Sequence, residues 1–320
     1  MTSKKVKATI SQVAEILSNS RRIALFAHTN PDGDTVGACV VLCLALKKLG
    51  KEVSLFCDAA FDTTLSSFTQ GLTFSQKFSG KFDLLVAVDC GDLNRVGEFG
   101  ATYAKFPETL TIDHHGGEYF SKYNCLLPYA STCQIIFELL AELKVDLDEA
   151  IATALFVGLC TDTGNFMHSN TDSACYQMAA ELCKYAVDNE RISRAFFKDV
   201  TLAKTKLIGR VLSRLRTFYD DQMVLLYVTK QDLDDFGLDF SATTGIVQYA
   251  INVDTAKIGV CMTEYSPNCY KVSMRGKDFS VREACVEFGG GGHPFASACV
   301  VCGFLEDVIE KIVRVVGFSI

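Results

Sequence analysis

Apolar and polar positions fall into blocks along this chain, and the blocks repeat with two different periods. Ile10, Val13, Ile16 and Leu17 recur at helical spacing within residues 8–19. The apolar run 23–27 reads as a strand, and it leads into a helix from about 34 to 49 that Gly50 ends. Glu52–Cys57, Asp83–Val88 and Leu110–Ile112 read as further strands. Helical spacing returns at about 131–143, 147–159 and 171–186. Short apolar strands alternating with helices predict a mostly parallel sheet with helices on both faces. Residues 187–205 are more charged and lose that pattern, which predicts a helical connector. Beyond it, strand-like runs at Met223–Val228, Lys257–Met262 and Tyr270–Met274 alternate with short helices at Ser241–Ala250 and Val281–Phe288. A final helix covers Leu305–Val316. The predicted class is therefore α/β with a smaller α+β C-terminal domain. The boundaries fall at 1–187 for the first domain, 188–205 for the linker and 206–320 for the second domain.

Polar residues cluster where the predicted strands end. His28-Thr29-Asn30-Pro31-Asp32-Gly33-Asp34 follows the first strand, Asp89 the third and Asp113-His114-His115 the fourth. Open parallel sheets gather ligands beyond the carboxyl ends of their strands. The chain has only five histidines, and His28, His114, His115 and His293 all sit in motif-like positions; His168 reads as a loop residue. Asp32 alone could be a turn former in Asn-Pro-Asp-Gly. Taken together, His28, Asp32, Asp34, Asp89, His114 and Asp162 carry too much negative charge to be buried without compensation. Two divalent cations bridged by one carboxylate would supply it, in the manner of the paired sites that drive phosphoryl displacement with ions ~3.5–4 Å apart. A nitrogen and oxygen donor set without thiolate suits two Mn2+ ions, with Mg2+ or Co2+ as alternatives.

Composition narrows the partners. At 320 residues, 49% hydrophobic and net charge −7, the chain is a poor candidate for gripping a long duplex nucleic acid. No apolar run reaches the ~18 residues a membrane span needs, so no membrane partner is expected. Fourteen cysteines, most of them within apolar runs, and no N-terminal signal pattern predict reduced core thiols and a cytoplasmic location. Cys299 and Cys302 would point to opposite faces of a strand, which argues against a redox or zinc pair.

These motifs, in this order, resemble the DHH phosphoesterase family. Asp113-His114-His115 matches its namesake triplet, and the heptapeptide at His28 with Gly37 matches its first signature. Ala87-Val88-Asp89 with Arg95 is similar to the second, and Gly158-Leu159-Cys160-Thr161-Asp162-Thr163-Gly164 to the fourth. Gly289–His293 resembles the C-terminal domain that accompanies many members. Size and that domain are most similar to the short bacterial-type oligoribonucleases (nanoRNases) that also act as 3′-phosphoadenosine 5′-phosphate phosphatases. The resemblance implies one metal held by His28, Asp32 and Asp89 and a second by Asp34, Asp89, His114 and Asp162. It implies catalytic roles for Asp113, orienting a histidine, and His115, facing the reacting phosphate. Arg275, Gly290, Gly291, Gly292, His293 and Arg95 would bind substrate, the glycines through free backbone N–H groups and between the two domains. Pro294 after His293 and Gly276 after Arg275 depart from the family pattern, both on the substrate side. The implied substrate is short RNA or a bisphosphonucleotide, and a homodimer is allowed. Linear dinucleotides from cyclic di-AMP breakdown stay open as an alternative substrate. A non-catalytic nucleotide-binding module stays open as an alternative function.

Overall fold

In the computed structural model, residues 5–117 and 119–317 are described. The chain divides into two compact units, the first ending at Asp199 and the second beginning at Val200.

The first unit runs β1 (Val6–Lys7), α1 (Ile10–Asn19), β2 (Arg22–Phe26), α2 (Gly33–Lys48), β3 (Glu52–Phe56), α3 (Thr63–Ser66), β4 (Phe74–Ser75) and β5 (Leu84–Val88). A 3-10 segment and α4 (Gly100–Lys105) follow, then β6 (Thr109–Asp113), β7 (Tyr123–Leu126), α5 (Thr132–Glu142), α6 (Glu149–Asp162), α7 (Ser173–Leu182) and α8 (Asn189–Ser193). The seven strands are all parallel, in the order β1-β7-β6-β5-β2-β3-β4. Every residue of β5 is buried, as expected of a central parallel strand covered on both faces. The chain winds outward from β2 through β3 to β4, then restarts at β5 and winds the other way. The switch point thus lies between β2 and β5.

The two faces are covered differently. On one, α2 is apolar all round and almost wholly buried beneath α5 and α6. Glycine makes that layer possible: a Cβ on Gly37 would stand 2.5 Å from the Ala154 carbonyl of α6. The other face carries an aromatic cluster in which Phe26 stacks on Phe56 at 5.2 Å between centroids and meets the edge of Tyr103 at 5.8 Å.

The second unit contains α9 (Leu202–Leu212), β8 (Arg216–Phe218), β9 (Met223–Val228), α10 (Lys230–Phe236), α11 (Ile246–Ile251), β10 (Ile258–Ser266), β11 (Cys269–Gly276) and α12 (Arg282–Glu287). It ends with β12 (Gly291–His293), β13 (Ala296–Cys302) and α13 (Leu305–Gly317). Its mixed sheet has the order β12-β13-β11-β10-β9-β8, with only β9 and β10 parallel. Amphipathic α13 packs Val308, Ile309, Ile312 and Val316 into one of its two cores.

Two expectations are corrected here. The helix expected over Ser241–Ala250 is broken at Gly245, whose φ of 87° leaves a 3-10 turn before it and α11 after it. The cysteines are not all reduced: Cys269 and Cys302 face each other across the β11–β13 register, 4.1 Å apart at Cα, and form a disulfide. Twelve thiols remain free, and all but Cys183 are buried. Among the described residues no helix is long and apolar enough to cross a membrane.

Candidate metal centre

The strands flanking the switch point deliver the first polar side chains. His28 lies just beyond β2 and is buried, while Asp32 caps α2, its Oδ1 accepting the amides of Asp34 and Thr35 at 3.0 Å. Asp89 follows β5 in the left-handed region, at φ 59°, a conformation that costs a non-glycine residue and turns its carboxylate back toward His28. The Thr35 hydroxyl joins the two strand ends, accepting the His28 amide at 3.3 Å and donating to the Val88 carbonyl at 3.1 Å.

The six residues singled out from the sequence come together in two sets. His28 Nε2 stands 3.4 Å from Asp32 Oδ2 and 3.4 Å from Asp89 Oδ2. His114 Nε2 stands 3.1 Å from Asp162 Oδ2 and 3.6 Å from Asp89 Oδ1. Donor atoms of His28, Asp32 and Asp89 all lie within 4.8 Å of one another, as do those of Asp34, His114 and Asp162. Asp89 turns Oδ2 toward His28 of the first set and Oδ1 toward His114 of the second. Asp34 is completely buried, and its two oxygens accept the amides of Thr132 at 2.6 Å and Cys133 at 2.9 Å, from the first turn of α5. Gly158 lets α6 come that close, since a Cβ there would stand 2.5 Å from Asp34 Oδ1.

The two catalytic candidates bond to each other and adjoin the cluster: His115 Nδ1 stands 3.6 Å from Asp89 Oδ1, and Asp89, Asp113, His114 and His115 form a third group with donor atoms within 4.8 Å of one another. Asp113, the last residue of β6 and fully buried, accepts the His115 amide at 3.2 Å and His115 Nδ1–H at 2.8 Å. His115 is itself partly exposed. His114 is turned the other way by its Nδ1–H, which donates to the Tyr129 carbonyl at 3.1 Å. That bond directs Nε2 of His114 into the cluster.

Burial and charge act against each other across the cluster. Burial opposes charge on His28, yet the carboxylates of Asp32 and Asp89, each 3.4 Å from its Nε2, raise its pKa to about 9. Burial likewise opposes charge on His114, and Asp162, Asp34 and Asp89 outweigh it and raise the pKa to about 10. Burial, then repulsion from Asp162 and Asp89, pushes Asp34 well above the usual carboxylate range. Asp162 is also raised, by burial first. Asp89 stays below that range, because His28 and His114 overcome its burial. So many anions in one pocket hold protons on both imidazoles, and a cation would compete for the same places. Both ring nitrogens of His28 and Nε2 of His114 are buried without a hydrogen-bond partner. Buried nitrogens left over amid carboxylates are a donor set that fits divalent cations.

The residues expected to bind substrate fare unevenly. The Arg95 carbonyl accepts the Thr29 amide at 3.0 Å, so this residue braces the loop after His28. In the second unit, Arg275 of β11 and His293 of β12 both pair with Ala296 of β13, which sets them in one row across the sheet. Arg275 is half-buried, spends one N–H on the Met274 carbonyl at 2.9 Å, and helps line a cavity of about 160 Å³ with Phe240, Lys271 and Ser273. The glycine run needs correction. Gly290 does not offer a free amide, because its N–H donates to the Cys285 carbonyl at 2.9 Å and closes α12. Gly291 and Gly292 belong to β12. Sequence reasoning missed Thr35, Tyr129 and Thr132, whose only signal was their position beside a strand end or a helix cap.

Residues 22–159 match the model described as DHH family, N-terminal domain. Those residues resemble a DHH-family N-terminal domain. The chain is 29% identical to the bifunctional oligoribonuclease and PAP phosphatase NrnA of Thermus thermophilus, over 95% of this chain and 92% of that one. The protein of the same name from Mycoplasma genitalium is 27% identical over 98% and 99% of the two chains. A solved structure of an exopolyphosphatase-related protein from Bacteroides fragilis is 23% identical and covers 97% of this chain and 95% of its own, with a TM-score of 0.88. That last likeness is one of fold. The DHH triplet itself, Asp113-His114-His115, lies inside the matched residues, as do all six proposed ligands except Asp162.

Proposed function

We propose that this chain is a two-metal phosphoesterase that trims short oligoribonucleotides to nucleoside monophosphates and converts 3′-phosphoadenosine 5′-phosphate to AMP. The observation that carries the reading is Asp89: one buried carboxylate at the switch point of the sheet, with Oδ2 3.4 Å from His28 Nε2 and Oδ1 3.6 Å from His114 Nε2. The relatives named for both activities align with nearly the whole chain, which supports the same substrate classes here.

His28, Asp32 and Asp89 would hold one cation, and Asp34, Asp89, His114 and Asp162 the other. When bound, such a pair supplies Lewis acidity toward a phosphoryl oxygen and an activated water. The oxygen-rich set suits Mn2+, with Mg2+ or Co2+ as alternatives. Hydrolysis adds water across the phosphorus–oxygen ester bond, and the departing oxygen needs a proton. His115 would supply it: Asp113 holds its Nδ1–H at 2.8 Å, which fixes the ring and leaves Nε2–H of the imidazolium as the donor. Arg275 and His293 of the second unit would bind phosphate or ribose of the substrate, Arg275 through its fork of donors.

The deciding experiment is a Mn2+-dependent assay of the full chain on 3′-phosphoadenosine 5′-phosphate, a dinucleotide, a five-residue RNA and pyrophosphate. Phosphate or nucleotide release from the first three, with pyrophosphate spared, is expected. Turnover confined to pyrophosphate, or none at all, would overturn the reading.

A further inference from the structure

The Asp89 carboxylate is asked to face two ways, and its backbone alone does not fix the rotation of its oxygens. A side chain from another element does. The Thr132 hydroxyl, fully buried in the first turn of α5, donates to Asp89 Oδ1 at 2.9 Å. That oxygen is the one facing His114, while Oδ2 faces His28. The backbone amide of the same residue donates to Asp34 Oδ2 at 2.6 Å. One residue therefore touches the carboxylate just beyond β5 and one in the first turn of α2, and Ser131, which caps α5 by accepting the Gln134 amide, holds that turn in place.

We propose that Thr132 is a positioning residue, whose hydroxyl orients Asp89 to bridge two cations while its amide orients Asp34 for the second. It makes no claim on substrate; it acts through the ligands, as hydrogen-bond partners of metal ligands do. A hydroxyl that only satisfied a buried carboxylate would matter to stability alone. One that sets the bridging geometry must also set cation affinity.

The test uses the full chain, Mn2+ alone and no substrate, with free Mn2+ followed by electron paramagnetic resonance. Wild type is expected to bind two ions per chain. Thr132→Val, which keeps the shape and removes the hydroxyl, should weaken at least one of them about 10–100-fold. Thr132→Ser, which keeps the hydroxyl, should bind as wild type does. In hydrolysis the Mn2+ concentration for half-maximal rate should rise by the same factor, with kcat returning toward wild type at saturating Mn2+. If circular dichroism shows Thr132→Val unfolded, Thr132→Ala takes its place, since it adds no bulk. Wild-type affinity in the hydroxyl-free variant, or equal weakening in Thr132→Ser, would sink the proposal. The inference rests on the two-cation reading of the centre, and the two fail separately. A wild type that binds no Mn2+ overturns that reading, whereas tight binding in both wild type and Thr132→Val overturns only the role of Thr132.

Discussion

At the scale of single residues, Asp89 and His115 are open to separate tests because their surroundings differ. Asp89 combines a left-handed backbone with a buried charge. Asparagine tolerates that backbone well and has nearly the same shape, so Asp89→Asn isolates the charge. We expect it to fold as wild type by circular dichroism and to lose Mn2+-dependent hydrolysis by about 10²–10³-fold or more, the scale of removing one preorganised electrostatic group. Near wild-type turnover would remove Asp89 from the bridge. His115→Ala should instead leave Mn2+ binding intact and lower kcat by about 10²–10⁴-fold, as expected for the loss of a general acid. A shift in Mn2+ affinity with kcat preserved would reassign His115 as a ligand. His28, Asp89 and His114 were readable because polar side chains stood at strand ends, whereas Asp32 and Asp34 at the start of α2 and Asp162 at the end of α6 were readable through their motifs. Thr132 was not, because threonine is common and its value comes from a fold that lays α5 against Asp34.

At the scale of elements, two local packings carry predictions. The α2–α6 contact is built on glycine, and a methyl group at Gly158 would press on Asp34 Oδ1. Gly158→Ala should cost about 1–3 kcal/mol by overpacking and weaken Mn2+ binding in the same variant. Unchanged thermal stability would show that the helices can part freely. In the second unit, Asp232 sits at the start of α10. Burial resists its charge, but Arg214 and the Thr229 amide, which donates at 2.7 Å, hold its pKa below the usual carboxylate value. A depressed folded pKa means stability that is present above the unfolded value of ~3.9 and lost as pH falls through the folded one. Asp232→Asn should therefore melt lower than wild type at neutral pH, and the gap should narrow as pH falls below ~3.9 and close once pH drops below the depressed folded pKa. A gap that stays constant with pH would remove the ion pair as its cause. Element type followed from periodicity where apolar runs were long, as in β5. It failed at Gly245, where a positive φ overrides the apolar spacing of 241–250. It also failed at β7, four residues with a polar Asn124 that form a strand between β6 and β1.

At the scale of the whole molecule, strand order could not be read from the chain, since the pairing of β2 with β5 joins segments about sixty residues apart and depends on which faces α2 and the aromatic cluster cover. Only the sheet order turns three separate strand ends into one centre. That centre gathers four carboxylates in the first unit alone, so cation binding should stabilise this unit and leave the second unmoved. An ion that binds only the folded state adds about 2.7 kcal/mol when present at a hundred times its Kd. For a unit of this size roughly 1 kcal/mol shifts Tm by about 2–4 °C, which gives about 5–10 °C for each tightly bound ion. Calorimetry of the full chain should resolve a transition that falls on adding EDTA and rises again with Mn2+. A second transition should move with pH through Asp232 and ignore the metal. If neither transition responds to chelator or Mn2+, the buried carboxylates are neutralised by protons on His28 and His114 instead, and the two-cation reading fails.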